Sequence, residues 1–376
     1  MEKIKVLLEE WDGQEVIIHY DHETNSWIFI AIHSTVLGPA DGGTRILFYP
    51  DLNLALLDAL SLAKGMTFKY ALSGIARGGG KAVIAIPDDL EDSSLYGLLD
   101  RYGRLIKQLG GMFTTATDIG SSSRDMDVIA QKGAPYVFGG TSNTSMEPGY
   151  FAALGIFSAM EAVCRLFLKG EIIRGKRVLI QGVGNVGEKL LECLIGAGAR
   201  VLFNDKSRSV IERIREKWDV EYIKDDKVYT TECDIFSPNA IGGILNSQTI
   251  PRLRCRAVVG GANIQLKEPR HAGMLWKRGI IYAPDYAVNV GAALADLGMA
   301  DFGWTIEEAK KKIVVRVRDS LEKIHEISLA ENIDTLMAAD SLVRGRLDAD
   351  IAGSVSNGAI NPGQGSSEEV KKNSAA

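Results

Sequence analysis

Two lysines twelve residues apart stand where the chain otherwise looks like core. Lys69 follows the apolar Met66-Thr-Phe, and Lys81 follows Gly78-Gly-Gly80 and opens the run Ala82-Val-Ile-Ala-Ile86. A lysine in a poorly solvated site loses part of its preference for the charged form, and a second cation nearby deepens that loss. Such an amine can act as a base near neutral pH. Three consecutive glycines strip side chains from the approach to Lys81, so that something small can rest against the backbone. Taken alone, the stretch is explained equally well as a glycine-rich turn before a strand, with two snorkelling lysines.

A second constellation is Gly182-Val183-Gly184-Asn185-Val186-Gly187, and its context gives it weight. The apolar Arg177-Val-Leu-Ile-Gln181 runs straight into it, Leu190, Leu191 and Leu194 follow at helical spacing, and Asp205 ends the next strand-like run twenty-three residues after the first glycine. That order predicts a strand, a tight turn that lets a pyrophosphate approach the backbone, and a helix whose N-terminus faces the phosphates. Asp205 can accept from both ribose hydroxyls of NAD and would repel a 2′-phosphate. Lys206 and Arg208 soften that preference, so NADP is the less favoured cofactor.

The elements that must position these residues follow from periodicity. Val16-Ile-Ile and Trp27 to Ile32 read as strands around a polar turn, and Gly38-Pro-Ala-Asp-Gly-Gly-Thr-Arg45 reads as a glycine loop exposing N–H groups. Helices are predicted over 53–64 and 93–109, with a strand over 112–116 and Asp118 just past its end. Ser122 or Ser123 caps a helix in which Asp125 and Asp127 are first-turn acids. From Gly149 one apolar helix precedes alternating strands and helices, with further strands near Ile235, Ala257 and Ile280. Thr305 and Glu308 form a capping box that opens a long helix reaching about Ala330, and another helix follows Thr335.

The expected fold class is α/β, with an N-terminal α/β substrate and oligomerisation domain, a Rossmann-type dinucleotide domain and a cleft between them. The expected boundaries are 1–148, 149–330, a C-terminal helix over 331–352 packing back toward the first domain, and a disordered tail over 353–376. A net charge of −5 argues against nucleic acid or an anionic membrane as partner. No apolar run is expected to reach membrane-spanning length, and the N-terminus lacks the apolar core of a signal peptide. Four scattered cysteines and five histidines show no ligand spacing, so no metal is expected and a cytoplasmic location is the simplest reading.

Several stretches together resemble the leucine/phenylalanine/valine dehydrogenase branch of the amino-acid dehydrogenases related to glutamate dehydrogenase. They are Gly38 to Arg45, Gly65 to Lys69, Gly78 to Ile84, Thr115-Ala-Thr-Asp118 with Asp125-Met-Asp127, the Gly182 loop, Asn239-Ala-Ile-Gly-Gly243, Gly260-Gly-Ala-Asn263 and Tyr282-Ala-Pro-Asp-Tyr286. They cover almost residues 10 to 350 in the family's order. The resemblance implies NAD-dependent oxidative deamination of an L-amino acid to a 2-oxo acid and ammonium, with the reverse reductive amination, in a homo-oligomer. It implies that Lys69 holds the substrate carboxylate with backbone help from Gly42 and Gly43, and that Met66 lines the same pocket. It gives Lys81 the role of activating the attacking water, and gives Asp118 the amino-group proton. It places Asn263 and Asn289 near the nicotinamide or substrate, and Ala240 beside the cofactor.

Four positions depart from the family's habit. Asp41 and Asp296 stand where apolar residues usually line the side-chain pocket, Ala152 stands for a threonine, and Ile264 for the second asparagine of Ala-Asn-Asn. The two acids predict a polar or cationic substrate side chain, unless they turn outward or pair with a cation such as Arg45 or Arg77. A pathway-specific imine or 2-oxo-acid reductase, and a non-catalytic NAD-binding regulator, are the alternative readings.

Overall fold

The computed structural model describes residues 2–141 and 148–356. The first half begins with helix α1 (Glu2–Trp11), which the sequence reading did not anticipate. It then forms a five-stranded mixed sheet in the order β1-β2-β4-β3-β5. Its strands are β1 (Glu15–Asp21), β2 (Ser26–Ser34), β3 (Ala40–Phe48), β4 (Gly78–Ile86) and β5 (Phe113–Thr117). Helix α2 (Leu52–Ser73) covers one face, while α3 (Asp92–Gln108) and α4 (Ser123–Gly133) cover the other.

Strand alternation sorts the side chains between these layers. Ile28, Ile30, Ile32, Ala82 and Ile84 pack toward α3 and α4. Phe29, Ala31, Val83 and Ala85 pack toward α2. Lys81 shares the parity of Val83, so it projects to the α2 side. On β3, Thr44 faces α3 and bonds Tyr102, which leaves Asp41, Gly43 and Arg45 on the α2 side.

Two expectations are corrected here. The stretch Gly38 to Arg45 is not an open glycine loop: from Ala40 it is a central strand, paired in parallel with β4 and β5. The glycines are there because no side chain fits. A Cβ on Gly42 would lie 1.8 Å from the Gly80 carbonyl oxygen. Nor do the three glycines before Lys81 leave space for a small molecule, because protein fills it. A Cβ on Gly79 would lie 2.1 Å from the Thr67 backbone nitrogen, so the glycines let α2 lie directly on β4. That packing also explains why α2 continues past the predicted end at Lys64, through Gly65 and Lys69, to an αL cap at Gly74.

The second half opens with α5 (Pro148–Leu166). Gly149–Leu166 is long and apolar enough by length and composition to cross a membrane, contrary to the expectation that no run reaches that length. Phe151, Ile156, Met160 and Val163 are instead buried in the main core cluster, the environment of a core helix. A six-stranded, wholly parallel sheet follows, in the order β11-β10-β9-β6-β7-β8. It is built from β6 (Arg177–Gln181), β7 (Arg200–Asn204), β8 (Glu221–Tyr222), β9 (Ile235–Pro238), β10 (Ala257–Val258) and β11 (Ile281–Tyr282). Helices α6 (Asn185–Gly196), α7 (Arg208–Lys217) and α8 (Arg270–Lys277) accompany these strands. The strand order reverses between β6 and β9, the switch point where doubly wound sheets bind ligands.

Four helices close the chain: α9 (Asp285–Val288), α10 (Gly291–Phe302), α11 (Ile306–Glu331) and α12 (Thr335–Ser356). The Thr305–Glu308 capping box is present, as is a Ser122–Asp125 box on α4. Ser320 Oγ donates to the Leu72 carbonyl at 3.1 Å, and Arg346 Nη1 to the Ala71 carbonyl at 3.1 Å, so α11 and α12 both bond the C-terminal turn of α2. The expected tail beginning at 353 overlaps the end of α12, and residues 357–376 lie outside the described residues.

Candidate active site

Strand parity and the close packing of α2 bring Lys69 and Lys81 to one cleft of about 820 Å³. Lys81 is buried, and its Nζ lies 2.7 Å from Asp118 Oδ2. Arg45 Nε donates to the same oxygen at 2.9 Å, and its Nη1 to Asp58 Oδ2 at 2.6 Å. Burial pushes the Asp118 carboxyl up, but the charges of Lys81 and Arg45 outweigh it and hold it at about 2. The Lys81 ammonium is pushed down, chiefly by burial and also by Arg45, although Asp118 opposes the shift. Lys69 is pushed down to about 8 by burial, with Lys81 adding to the effect and Asp285 and Asp118 opposing it. The cleft thus holds two amines with weakened charge beside a carboxylate that stays ionised.

Gly43, Met66, Asp41, Asn263, Asn289 and Asp296 line the same cleft. Gly42 does not, because β3 alternation turns it to the α3 side. Asn289 Nδ2 donates to Asn263 Oδ1 at 2.7 Å and to the Gly261 carbonyl at 3.2 Å. Gly261 N–H in turn donates to Asn239 Oδ1 at 2.8 Å, which joins the end of β9 to the cleft. Asn289 Oδ1 is buried without a partner among the described residues, an acceptor open to a ligand's donor.

The residues expected to hold a nucleotide gather at the switch point, outside the carboxyl ends of β6, β7 and β9. Gly182 has φ +89°, and a Cβ there would lie 2.8 Å from Ala240 Cβ, which puts Ala240 against the loop. A Cβ on Gly187 would lie 2.1 Å from the Gly182 carbonyl, whereas one on Gly184 would meet only open space. Gly187 therefore serves helix–strand packing, and Gly184 keeps an approach clear. Asn185, Val186 and Gly187 form the first turn of α6, where N–H groups lack intrahelical partners. Asp205 accepts from Val183 N–H and from Ser207 N–H, each at 2.9 Å, so its carboxylate is fixed beside the loop with lone pairs to spare. These residues fit a dinucleotide: an open approach at Gly184, donors at a helix N-terminus, and an anchored acid a strand away.

The sequence reading did not single out Asp285, Asp58 or Tyr70. Asp285 accepts from Ile264 N–H, and burial pushes its carboxyl up although Lys69 opposes the shift. Following Pro284, it looks in sequence like an ordinary helix-start acid, which hides it. Asp58 holds Arg45, and Tyr70 donates to Asp41; both lie on the part of α2 whose packing only the glycine strand reveals.

Residues 19–134 match the family described as Glu/Leu/Phe/Val dehydrogenase, dimerisation domain, and residues 202–349 match Glutamate/Leucine/Phenylalanine/Valine dehydrogenase. The chain is 39% identical to leucine dehydrogenase of Geobacillus stearothermophilus over 348 residues, covering 91% of this chain and 92% of that one. It is 37% identical to phenylalanine dehydrogenase of Thermoactinomyces intermedius over 354 residues, covering 92% and 94%. Among solved structures it is similar to L-tryptophan dehydrogenase of Nostoc punctiforme, with TM-score 0.76, 34% identity and coverage of 93% and 99%.

Proposed function

The chain belongs to the Glu/Leu/Phe/Val dehydrogenase family, and we propose that it catalyses NAD-dependent oxidative deamination of an L-amino acid to a 2-oxo acid and ammonium, and the reverse reductive amination. The observation that carries this reading is the Lys81–Asp118 contact at 2.7 Å, with Lys69 on the same cleft. When bound, the nicotinamide supplies the hydride acceptor for oxidation at Cα. Lys69 pairs with the substrate carboxylate through charge-assisted hydrogen bonds. Asp118, held ionised by Lys81 and Arg45, accepts the N–H donors of the amino group. Lys81, its ammonium destabilised by burial, takes the proton from the water that attacks the imine carbon and returns it to the departing amine. Asn289 and Asn263 orient the reacting end of the substrate and the nicotinamide. Asp205 accepts from the adenosine ribose, which favours NAD over NADP.

Self-association is part of the same reading, supported by the description of the first matched region as a dimerisation domain. A cytoplasmic location is also part of it, since the cofactor and substrates are cytoplasmic metabolites. The test is NADH formation from NAD and L-amino acids, with ammonium and 2-oxo acid released in equal amounts. Reverse turnover must require ammonium. NADH oxidation with a 2-oxo acid but without ammonium would favour a reductase instead.

A further inference from the structure

We propose that the substrate's side chain is cationic, and that Asp41 and Asp296 form the receptor for its ammonium or guanidinium at the end of the cleft away from Lys81. The proposal rests on the deamination reading and names its substrate class: a basic L-amino acid.

Placement comes first. Gly43 touches Asp118, since a Cβ there would lie 2.9 Å from Asp118 Cβ. Asp41 is two residues back on the same face of β3, roughly 7 Å away at the usual rise of a strand. Asn289, just before α10, lines the cleft with Ala292, Ala293 and Asp296, whose spacing puts those three on one face of α10. Asp296 therefore stands about one turn beyond Ala292, farther along α10 from the asparagine that precedes the helix. The apolar residues lining the cleft include Met66, Ala116, Ala292, Ala293 and Leu297. A reacting carbon near Lys81 and a charge about 7 Å off match the length of ornithine, lysine or arginine.

Charge comes second. The nearby cations are already committed: Lys81 and Arg45 to Asp118, and Arg77 to Asp301 at 2.5 Å. Asp41 receives hydroxyls from Tyr70 and, at 2.5 Å, from Thr114, but among the described residues no ammonium or guanidinium within ion-pair distance. Asp296 has neither a hydrogen bond nor an ion pair among the described residues. It nevertheless feels Asp41: burial and the Asp41 charge push its carboxyl up to about 6. Arg77, already paired with Asp301, is the cation whose charge reaches Asp41. An apolar guest would leave both cleft acids buried without a counter-ion, and Asp296 without even a hydrogen bond among the described residues, which is costly. A single neutral N–H donor, such as an indole, serves only one of them. A cation relieves both acids and their mutual repulsion.

The experiment uses the full-length chain with NAD and six substrates: L-lysine, L-ornithine, L-arginine, L-leucine, L-phenylalanine and L-tryptophan. We expect kcat/KM for the best basic substrate to exceed that for leucine by on the order of 100-fold, the usual scale for a buried charge given or denied its partner. Asp296→Leu should cut the basic-over-leucine ratio by a similar factor. It removes no native hydrogen bond, so its folding is not at stake. Asp41→Asn, a second variant of nearly unchanged shape, should lower the ratio too. Preference of the wild type for leucine, phenylalanine or tryptophan overturns the receptor and leaves the deamination reading standing. An unchanged ratio in Asp296→Leu also overturns the receptor. No NADH from any of the six overturns both.

Discussion

Asp118 touches two cations, and that contact divides the work among the charged side chains of the cleft. A carboxylate held at about 2 is a poor base, whereas a buried lysine losing its charge is a good one. In the proposed reaction Lys69 would hold the substrate carboxylate in both ground and transition states. Lys69→Ala should therefore raise KM for the amino acid on the order of 100-fold or more, with a smaller loss in kcat, read from initial rates. Asp296 makes a separate prediction in stability. Its carboxyl sits near 6 in the folded chain against 3.8 ordinarily, so between these values the folded state keeps a proton that the unfolded chain has lost. Stability therefore falls as pH rises through that window and does not return above it. Asp296→Asn should stabilise the unliganded protein by ~1–2 kcal/mol at about pH 8, and add nothing at about pH 4, in denaturant midpoints.

Helix and strand junctions explain why glycines of one motif are not equivalent. Gly187→Ala drives a methyl into the Gly182 carbonyl and should cost on the order of 2 kcal/mol of stability, seen as a lower Tm. Gly184→Ala meets no neighbour and should leave Tm unchanged within the usual surface scatter, while weakening NAD binding measured by titration. Ile264 is a β-branched residue at φ +51°, a conformation asparagine tolerates better. It is 38% exposed, so Ile264→Asn should raise stability by about 1 kcal/mol with little loss of burial. These elements also mark what could be read from sequence. The strand–turn–helix around Gly182, an N-cap at Ser122 or Ser123 and the capping box at Thr305 were legible, because their signals are local. The strand at Ala40 and the stretch of α2 beyond Lys64 were not. Glycine weakens strand and helix propensity alike, and there it is tolerated because β4 and α2 meet backbone to backbone. Lys69 and Lys81 were legible as a pair from their apolar flanks. The clamp on Asp118 was not, because Arg45 and Asp58 reach it only through folding.

Across the molecule, the helix bearing Lys69 is tied at its end to the C-terminal helices. Arg316 donates to the Ser73 carbonyl, Arg346 to Ala71 and Ser320 to Leu72, while Arg77 pairs with Asp301 on α10. These bonds join the element that would hold the substrate carboxylate to the half of the chain that would hold the cofactor. The measurement that bears most directly on the proposed chemistry is Lys81→Ala, assayed for NADH formation with the best amino acid and, in parallel, for NAD affinity by calorimetry. The expected result is a loss of at least about 10³-fold in kcat with NAD affinity within about threefold of wild type, the loss a missing general base produces. Turnover retained within about tenfold would contradict it, because Lys81 would then not be the base and the Lys81–Asp118 pair would only hold the fold together.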